Sequence, residues 1–405
     1  MFSWENGTEI AIWGTGKRAR KFYLRYRYYF KVVNFIDNFP KKDNLDQIDI
    51  ILPNQLARKK VKIVIAIDNY KEVCSQCKEL GMDFYDDYLP YNFIDFNSLD
   101  LIKFWELIEE NEIEKVFQKI IKNHPFCILI GNCQISAIKK MLFTSKQFRE
   151  TYFILDIPPI HMISQREMSI IEKCDFIFRK CSLYITQYIN SDNGFFSFYA
   201  TENMRQLANR HSQFIVIPVL YFDLYFPQTI HQKRRDCLLS EVGVLSFPYG
   251  DCILEELSRK YSVEDIVRIV CLEHFFSDRF LQWMYDTRLE EMQNRENLCD
   301  VKIYDYIIKC FRKEQLFYSK NHPCKSIFVE FGQRLLERLG FHDGRVEQIG
   351  MPIMDGWQEI IYPSVASYYG LAFDKTLYLD PVVDEECELE EIIRLYLCTI
   401  CAKRV

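Results

Sequence analysis

The sequence predicts two α/β domains, a small parallel-sheet domain followed by a larger α/β domain with a helical insertion. Three observations carry this expectation. Strand-like and helix-like segments alternate over about the first 90 residues, as right-handed crossovers between parallel strands require. A second strand, turn and helix unit starts afresh at Phe126, after a charged helical stretch. The chain also has 405 residues, more than one hydrophobic core ordinarily organises.

In chain order, Glu9-Ile10-Ala11-Ile12-Trp13 is a short apolar run and reads as a strand. Gly14-Thr15-Gly16-Lys17-Arg18-Ala19 turns it into a helix from Lys17 to Tyr28, and Lys31 to Asp37 returns as a strand. Val61 to Ile67 repeats the pattern ahead of a helix from Glu72 to Leu80. Gly81 stops that helix, and Met82 to Tyr85 begins another strand. The stretch from Leu99 to Lys122 is helical and charged, which divides the chain into a domain over 1–98, a connector over 99–122 and a domain over 123–405. Phe126-Cys127-Ile128-Leu129-Ile130 is a continuous apolar run, as in a strand buried on both faces. It ends at Gly131, and Ser136 to Phe143 reads as the helix after the turn. Further strands are expected at Tyr152 to Leu155, Asp175 to Phe178, Ser182 to Ile185 and Phe214 to Pro218. Ser262 to Arg312 reads as helices, and Ser326 to Leu339 as an amphipathic helix closed by Gly340.

Composition excludes several classes. Apolar residues make up 49% and aromatics 15% of the chain, so the protein is folded and not disordered. A net charge of −6 with interspersed signs gives no basis for a nucleic-acid partner. The short basic runs Lys17-Arg18-Ala19-Arg20 and Lys233-Arg234-Arg235 read as solvated surface. No run approaches the roughly 18 apolar residues that cross a bilayer, so no membrane span is expected. The fifteen cysteines are scattered and odd in number, and no secretory leader precedes them. They read as reduced thiols of a cytoplasmic protein. Cys74/Cys77 and Cys398/Cys401 lie in helical segments without a second ligand pair nearby, so no metal site is expected.

Gly14-x-Gly16-x-x-Ala19 follows a strand and opens a helix, with Asp37 ending the next strand. This is the pattern of a Rossmann-like dinucleotide turn. One glycine makes the tight turn, the other lets a phosphate approach, and the acidic residue takes a ribose hydroxyl. The same residues also serve a tight strand-helix turn with no ligand. Two readings therefore stand for the first domain, a nucleotide or nucleotide-sugar site at Gly14, Gly16 and Asp37, or a purely structural turn.

Gly131-Asn132-Cys133-Gln134 lies just past the carboxyl end of a strand and at a helix start, where α/β sheets place their chemistry. Unpaired N–H groups there favour a thiolate or an oxyanion. Cys133 is the candidate nucleophile, with amides on either side at Asn132 and Gln134. Of seven histidines, His322 stands out in the polar segment Tyr318-Ser319-Lys320-Asn321-His322-Pro323, and it is expected to be exposed at a helix entrance. His124 precedes the strand at its wrong end. No Asp stands ahead of His322 at triad spacing; Ser319 occupies that place.

Gly-Asn-Cys-Gln after an apolar strand, with a late Asn321-His322-Pro323 before a helix, resembles the WcbI-like capsular polysaccharide biosynthesis proteins of bacteria. Thr186-Gln187-Tyr188, Ile217 to Phe222 ahead of Phe226-Pro227, and Ile360-Ile361-Tyr362-Pro363 with Tyr369-Gly370-Leu371 fit the same pattern. The resemblance covers residues 124–375 and leaves the first domain outside it. It implies an SGNH-like α/β domain and an acetyltransferase that uses acetyl-CoA as co-substrate. The acceptor would be a sugar hydroxyl of a capsular or surface polysaccharide. It places Cys133, His322, Gln134 and Asn132 at the active site, and Gly131, Gln187, Ser319 and Asn321 as coenzyme A contacts. Peripheral association with polysaccharide assembly machinery goes with it. Transfer runs either directly, with His322 as base, or through an acyl group on Cys133. The alternatives are an SGNH-type acyl-ester hydrolase, and a non-catalytic module that binds a nucleotide-sugar or a partner through the first domain.

Overall fold

A computed structural model describes Trp4 and residues 7–56, 61–91, 98–108, 112–121, 125–190, 194–230, 249–349, 359–373, 377–380 and 385–401. The protein is of the α/β class. It divides into two compact units: residues 1–130 with 147–214, and residues 131–146 with 215–405.

The first unit contains two sheets. In the N-terminal sheet, β1 (Glu9–Trp13), β2 (Lys31–Ile36), β3 (Asn44–Leu45), β4 (Ile48–Ile51), β5 (Lys62–Ile65) and β6 (Tyr88–Pro90) lie in the order β3-β4-β2-β1-β5-β6. Every pair is parallel except the β3/β4 hairpin. The chain winds outward from β1 in one direction through β2 and β4, then returns to β5 on its other side, so the winding reverses between β1 and β5. Ile10, Ile12, Trp13, Ile63, Val64 and Ile65 are buried, which accounts for the uninterrupted apolar runs in these two strands.

The second sheet consists of β7 (Ser98–Asp100), β8 (Phe126–Ile130), β9 (Phe153–Asp156), β10 (Leu183–Gln187) and β11 (Gln213–Ile217), in the order β11-β10-β8-β9-β7. Strand β8 is central and fully buried, with parallel partners on both sides. The division between the units falls inside β11, after Phe214. One continuous apolar core serves both sheets of the first unit, and Phe84 meets Phe104 within it at 6.3 Å between ring centroids. Cys74 and Cys77 belong to this core, and burial pushes both thiols up to about 12.

Two expected strands differ. Asp175–Phe178 is a helical turn that follows directly on the helix Gln165–Lys173. The N–H groups of Ile177 and Phe178 bond back to the carbonyl of Cys174 at 2.8 and 3.4 Å. A four-residue apolar run buries Ile177 and Phe178 equally well in either period, so its pattern does not decide between strand and helix. The strand expected from Met82 begins later, at Tyr88, because Asp83 to Asp87 form a turn. In it Asp87 N–H donates to the Asp83 carbonyl at 2.9 Å, and Tyr85 takes a positive φ of 75°.

The second unit is mainly helical, with helices at Gln134–Leu142, Cys252–Leu257, Val263–Val270, Asp278–Glu296, Tyr304–Cys310, Lys325–Arg338, Pro363–Tyr369 and Leu389–Cys401. Three short antiparallel pairs punctuate it: β12 (Thr229–Ile230) with β13 (Gly250–Asp251), β14 (Phe317–Ser319) with β15 (His322–Pro323), and β16 (Leu377–Asp380) with β17 (Glu385–Glu388). Helices Gln134–Leu142 and Lys325–Arg338 touch where Gly332 meets Met141. A Cβ at Gly332 would lie 2.8 Å from the Met141 sulfur. Among the described residues, no helix is long and apolar enough to cross a membrane.

Candidate functional site

From the end of β8 at Ile130 the chain turns through Gly131, Asn132 and Cys133 into helix Gln134–Leu142. The Asn132 side chain accepts the Gln134 N–H at 2.9 Å, and its carbonyl accepts the Ile135 N–H at 3.1 Å. Asn132 therefore caps the helix, and Cys133 already has helical backbone angles, φ −55° and ψ −23°. Its thiol is half-buried beside the first N–H groups of the helix, where a negative charge is favoured.

Gln134 is completely buried. Its amide nitrogen donates to the carbonyls of Leu220 and Asn321 at 2.7 and 2.8 Å, and its amide oxygen accepts the Leu220 N–H at 3.0 Å. The residue after the cysteine thus fastens the segment past β11 and the β14/β15 turn to the helix start. Phe222 N–H adds a bond to the Lys320 carbonyl at 2.8 Å. The Phe222 ring stacks on Phe317 with centroids 5.5 Å apart.

This fastening overturns one expectation. His322 is buried, with 8% of its surface exposed, and does not stand open at a helix entrance. The β14/β15 hairpin places Ser319 opposite it, and the Ser319 hydroxyl meets His322 Nδ1 at 2.5 Å. Ser319, which stands where a triad acid was sought, holds the ring. With Nδ1–H donating to Ser319 Oγ, Nε2 carries the basic lone pair; the opposite tautomer reverses the roles.

The hairpin turn brings in groups that sequence reasoning missed. Lys320 is buried, its ammonium 4.0 Å from the centroid of the Tyr249 ring. Its N–H donates to one carboxylate oxygen of Glu359 at 3.0 Å, and the Thr229 hydroxyl donates to the other at 3.2 Å. Burial pushes Lys320 down and Glu359 up, and the attraction between their charges opposes both shifts. Burial likewise raises the Tyr249 hydroxyl, followed by the charges of Glu359 and Cys133, while a hydrogen bond to the Asn321 side chain works against them. Tyr249 thereby links the Lys320/Glu359 pair to Asn321 and Cys133. Asp251, raised to about 7 by burial, accepts the Ile253 and Leu254 N–H groups and the Tyr362 hydroxyl at 3.0, 2.9 and 2.9 Å. Asp251 and Glu359 share a cavity of about 10 Å³ with Gln228, room for about one water. Among the described residues, the buried Gln228 Oε1 has no hydrogen-bond partner. A lysine between Ser319 and Asn321 was the one available signal. Nothing local marks Tyr249 or Glu359, which reach the site only through the fold.

Asn132, Cys133, Gln134, Ser319, Asn321 and His322, with Gly131, thus lie in the second unit, joined by the contacts above. Gly14, Gly16, Asp37 and Gln187 belong to the first. Gly14 has φ +124°, and a Cβ there would lie 2.6 Å from the Ile67 side chain and 3.0 Å from the Ala66 carbonyl oxygen. Gly16 faces open space. The Asp37 carboxylate accepts the Thr15 hydroxyl at 2.5 Å and the Phe39 N–H at 2.9 Å. Arg18 pairs with Asp68. Gln187 is buried at the end of β10. His161, His211, His274 and His342 are exposed, while His124, His231 and the run Lys233-Arg234-Arg235 lie outside the described residues. Among the described residues, no group of three or more His, Cys, Asp or Glu is arranged to hold a metal ion.

The family model for the polysaccharide biosynthesis enzyme WcbI matches residues 126–344. A solved structure of WcbI, described as a novel polysaccharide biosynthesis enzyme, superposes with a TM-score of 0.53 at 15% identity, over 69% of this chain and 90% of that one. It is the native form of that protein, without a disulfide bond between coenzyme A and one of its cysteines. No curated protein matches the sequence.

Proposed function

The chain belongs to the WcbI family of polysaccharide biosynthesis enzymes, and on that premise we propose that it is a coenzyme A-dependent O-acetyltransferase. It moves an acetyl group from acetyl-CoA to a hydroxyl of a capsular or surface-polysaccharide sugar. The observation that carries this reading is the joining of the Cys133 turn to the His322 hairpin through the Gln134 amide. A disulfide between coenzyme A and a protein cysteine requires that cysteine to lie where the thioester sulfur sits. Cys133, half-buried at a helix start, is the cysteine we assign to that place.

His322, with Nδ1–H held by Ser319, takes the proton of the sugar hydroxyl on Nε2 as the oxygen attacks the thioester carbonyl. Backbone N–H groups of the Gly131–Cys133 turn and the Asn132 and Asn321 amides face the developing oxyanion. The tetrahedral intermediate collapses, the carbon–sulfur bond breaks, and the imidazolium returns its proton to the departing coenzyme A thiolate. Ser319 is neutral, so it fixes the ring's tautomer without stabilising an imidazolium by charge. That favours direct transfer over an acyl group parked on Cys133. Ser319 itself is completely buried, which suits an orienting residue better than the nucleophile of a hydrolase. Gly131 and Asn321 are assigned to coenzyme A contacts. The cysteines the structure shows to be free suit a cytoplasmic enzyme.

Calorimetric titration with coenzyme A and acetyl-CoA tests the reading. Micromolar binding by the wild type, with His322→Ala retaining binding but losing acetyl transfer to a capsule-derived acceptor, would support it, and loss of transfer in Cys133→Ala as well would turn the mechanism to an acyl group carried on Cys133. Absence of binding at millimolar ligand would sink it.

A further inference from the structure

Three helices of the first unit converge on an open cavity of about 480 Å³, lined by Lys71, Trp105, Glu106, Arg166, Ser169 and Ile170. They are Tyr70–Glu79, Leu101–Leu107 and Gln165–Lys173. The volume lies in the range of small-ligand sites. Its wall carries a half-buried indole, and the Lys173 ammonium lies 5.9 Å from the Trp105 ring centroid. Glu106 pairs with Lys71 at 2.6 Å and with Arg166 at 2.8 Å. Among the lining residues Lys71 and Arg166 are cationic and Glu106 alone is anionic, so the lining itself carries a positive surplus.

Stability accounts for only part of this arrangement. The Lys71 and Arg166 side chains are 53% and 76% exposed, and ion pairs that open to water contribute little to folding. Glu106 engages one nitrogen of the Arg166 guanidinium, which leaves that group's other N–H donors available to a second oxyanion. An aromatic face, a cationic fork and the small polar groups of Ser169 and Glu106 are together what a charged sugar ring needs. Its C–H face packs on the indole, its carboxylate or phosphate meets Arg166 and Lys71, and its hydroxyls bond to Ser169 and Glu106.

We propose that this cavity binds an anionic sugar residue, a ring bearing a carboxylate or a phosphate, and so holds the glycan on which the enzyme acts. The proposal rests on the polysaccharide reading above, and its test reads binding alone, without acyl transfer. The whole chain is titrated with an oligogalacturonate, a neutral oligosaccharide of equal length, glucose 6-phosphate and uridine monophosphate. Tryptophan fluorescence and calorimetry follow the binding.

The expected result is binding of an anionic sugar, by carboxylate or by phosphate, at least about tenfold tighter than the neutral chain. Trp105→Ala and Arg166→Glu should each weaken it by a similar factor while leaving acetyl-CoA affinity unchanged. Equal affinity for anionic and neutral chains overturns the proposal, and so does binding that neither variant alters. Tighter binding of uridine monophosphate, lost in both variants, overturns it in favour of a nucleotide. If the sugar binds here but acetyl-CoA binds nowhere, the transfer reading fails and this one stands.

Discussion

Two glycine turns in this chain look alike in sequence and do different work in the structure. Gly14-Thr15-Gly16 and Gly131-Asn132-Cys133 each follow a buried parallel strand and open a helix. In the first, the polar groups are satisfied close by: Asp37 accepts from Thr15 and Phe39, and Gly14 is required by packing against Ala66 and Ile67. In the second, the Gln134 side chain reaches backbone 86 and 187 residues away. The polar atoms of the first turn are used on neighbouring residues and strands, whereas those of the second join segments far apart in the chain.

Four measurements break or sharpen that contrast. The largest effect is expected at His322. Its replacement by Ala should lower the rate of acetyl transfer by about 10²–10⁴, the usual contribution of a positioned base, with coenzyme A affinity little changed. A loss of affinity equal to the loss of rate would mean that the ring binds ligand and does not move a proton. Gln134→Ala comes next. It leaves the buried backbone groups of Leu220 and Asn321 without partners, at roughly 1–3 kcal/mol per group, and urea denaturation should show the loss. Activity lost without stability would make Gln134 a participant in the chemistry.

The pH dependence of stability is third. Asp251 is raised from 3.8 to about 7 in the folded protein by burial. The native state therefore keeps a proton that the unfolded chain releases, and stability falls as pH rises from about 4 to about 7. Glu359, raised by burial as well, adds to the same slope. Asp251→Asn should flatten part of that decline while keeping the cap on Ile253 and Leu254. A slope identical to wild type would show that Asp251 is ionised throughout.

The smallest effects belong to the first turn. Gly14→Ala should cost about 1–3 kcal/mol, because an L side chain meets both strain and overlap there. Gly16→Ala, with open space around it, should stay within about 0.5 kcal/mol of wild type. Any nucleotide or nucleotide-sugar affinity lost in that second variant would come from a site and not from the scaffold.

Much of this was legible in the sequence because the signals were local. A continuous apolar strand ending in glycine pointed to the turn at Cys133, and a polar segment before an amphipathic helix pointed to His322. Burial of His322 was not legible, since it follows from tertiary packing, in which the neighbouring Asn321 backbone is held by a glutamine 187 residues away. Tyr249 and Glu359 carry no pattern of their own and reach Lys320 only through tertiary folding. Asp175–Phe178 was misread because four residues are too few to separate a period of two from one of 3.6.

The clamp at Gln134 also sets a schedule. The thiol and the imidazole are made 189 positions apart, at 133 and 322, and the bond that joins their two segments closes a loop of 187. As the chain leaves the ribosome, the cysteine and its helix are present long before the hairpin that carries the base. A chain cut short ahead of Asn321 would retain the thiol with neither the base nor the turn that Gln134 grips. Under the proposed mechanism, a copy that ends before some four-fifths of the polypeptide has been made therefore has no base with which to act.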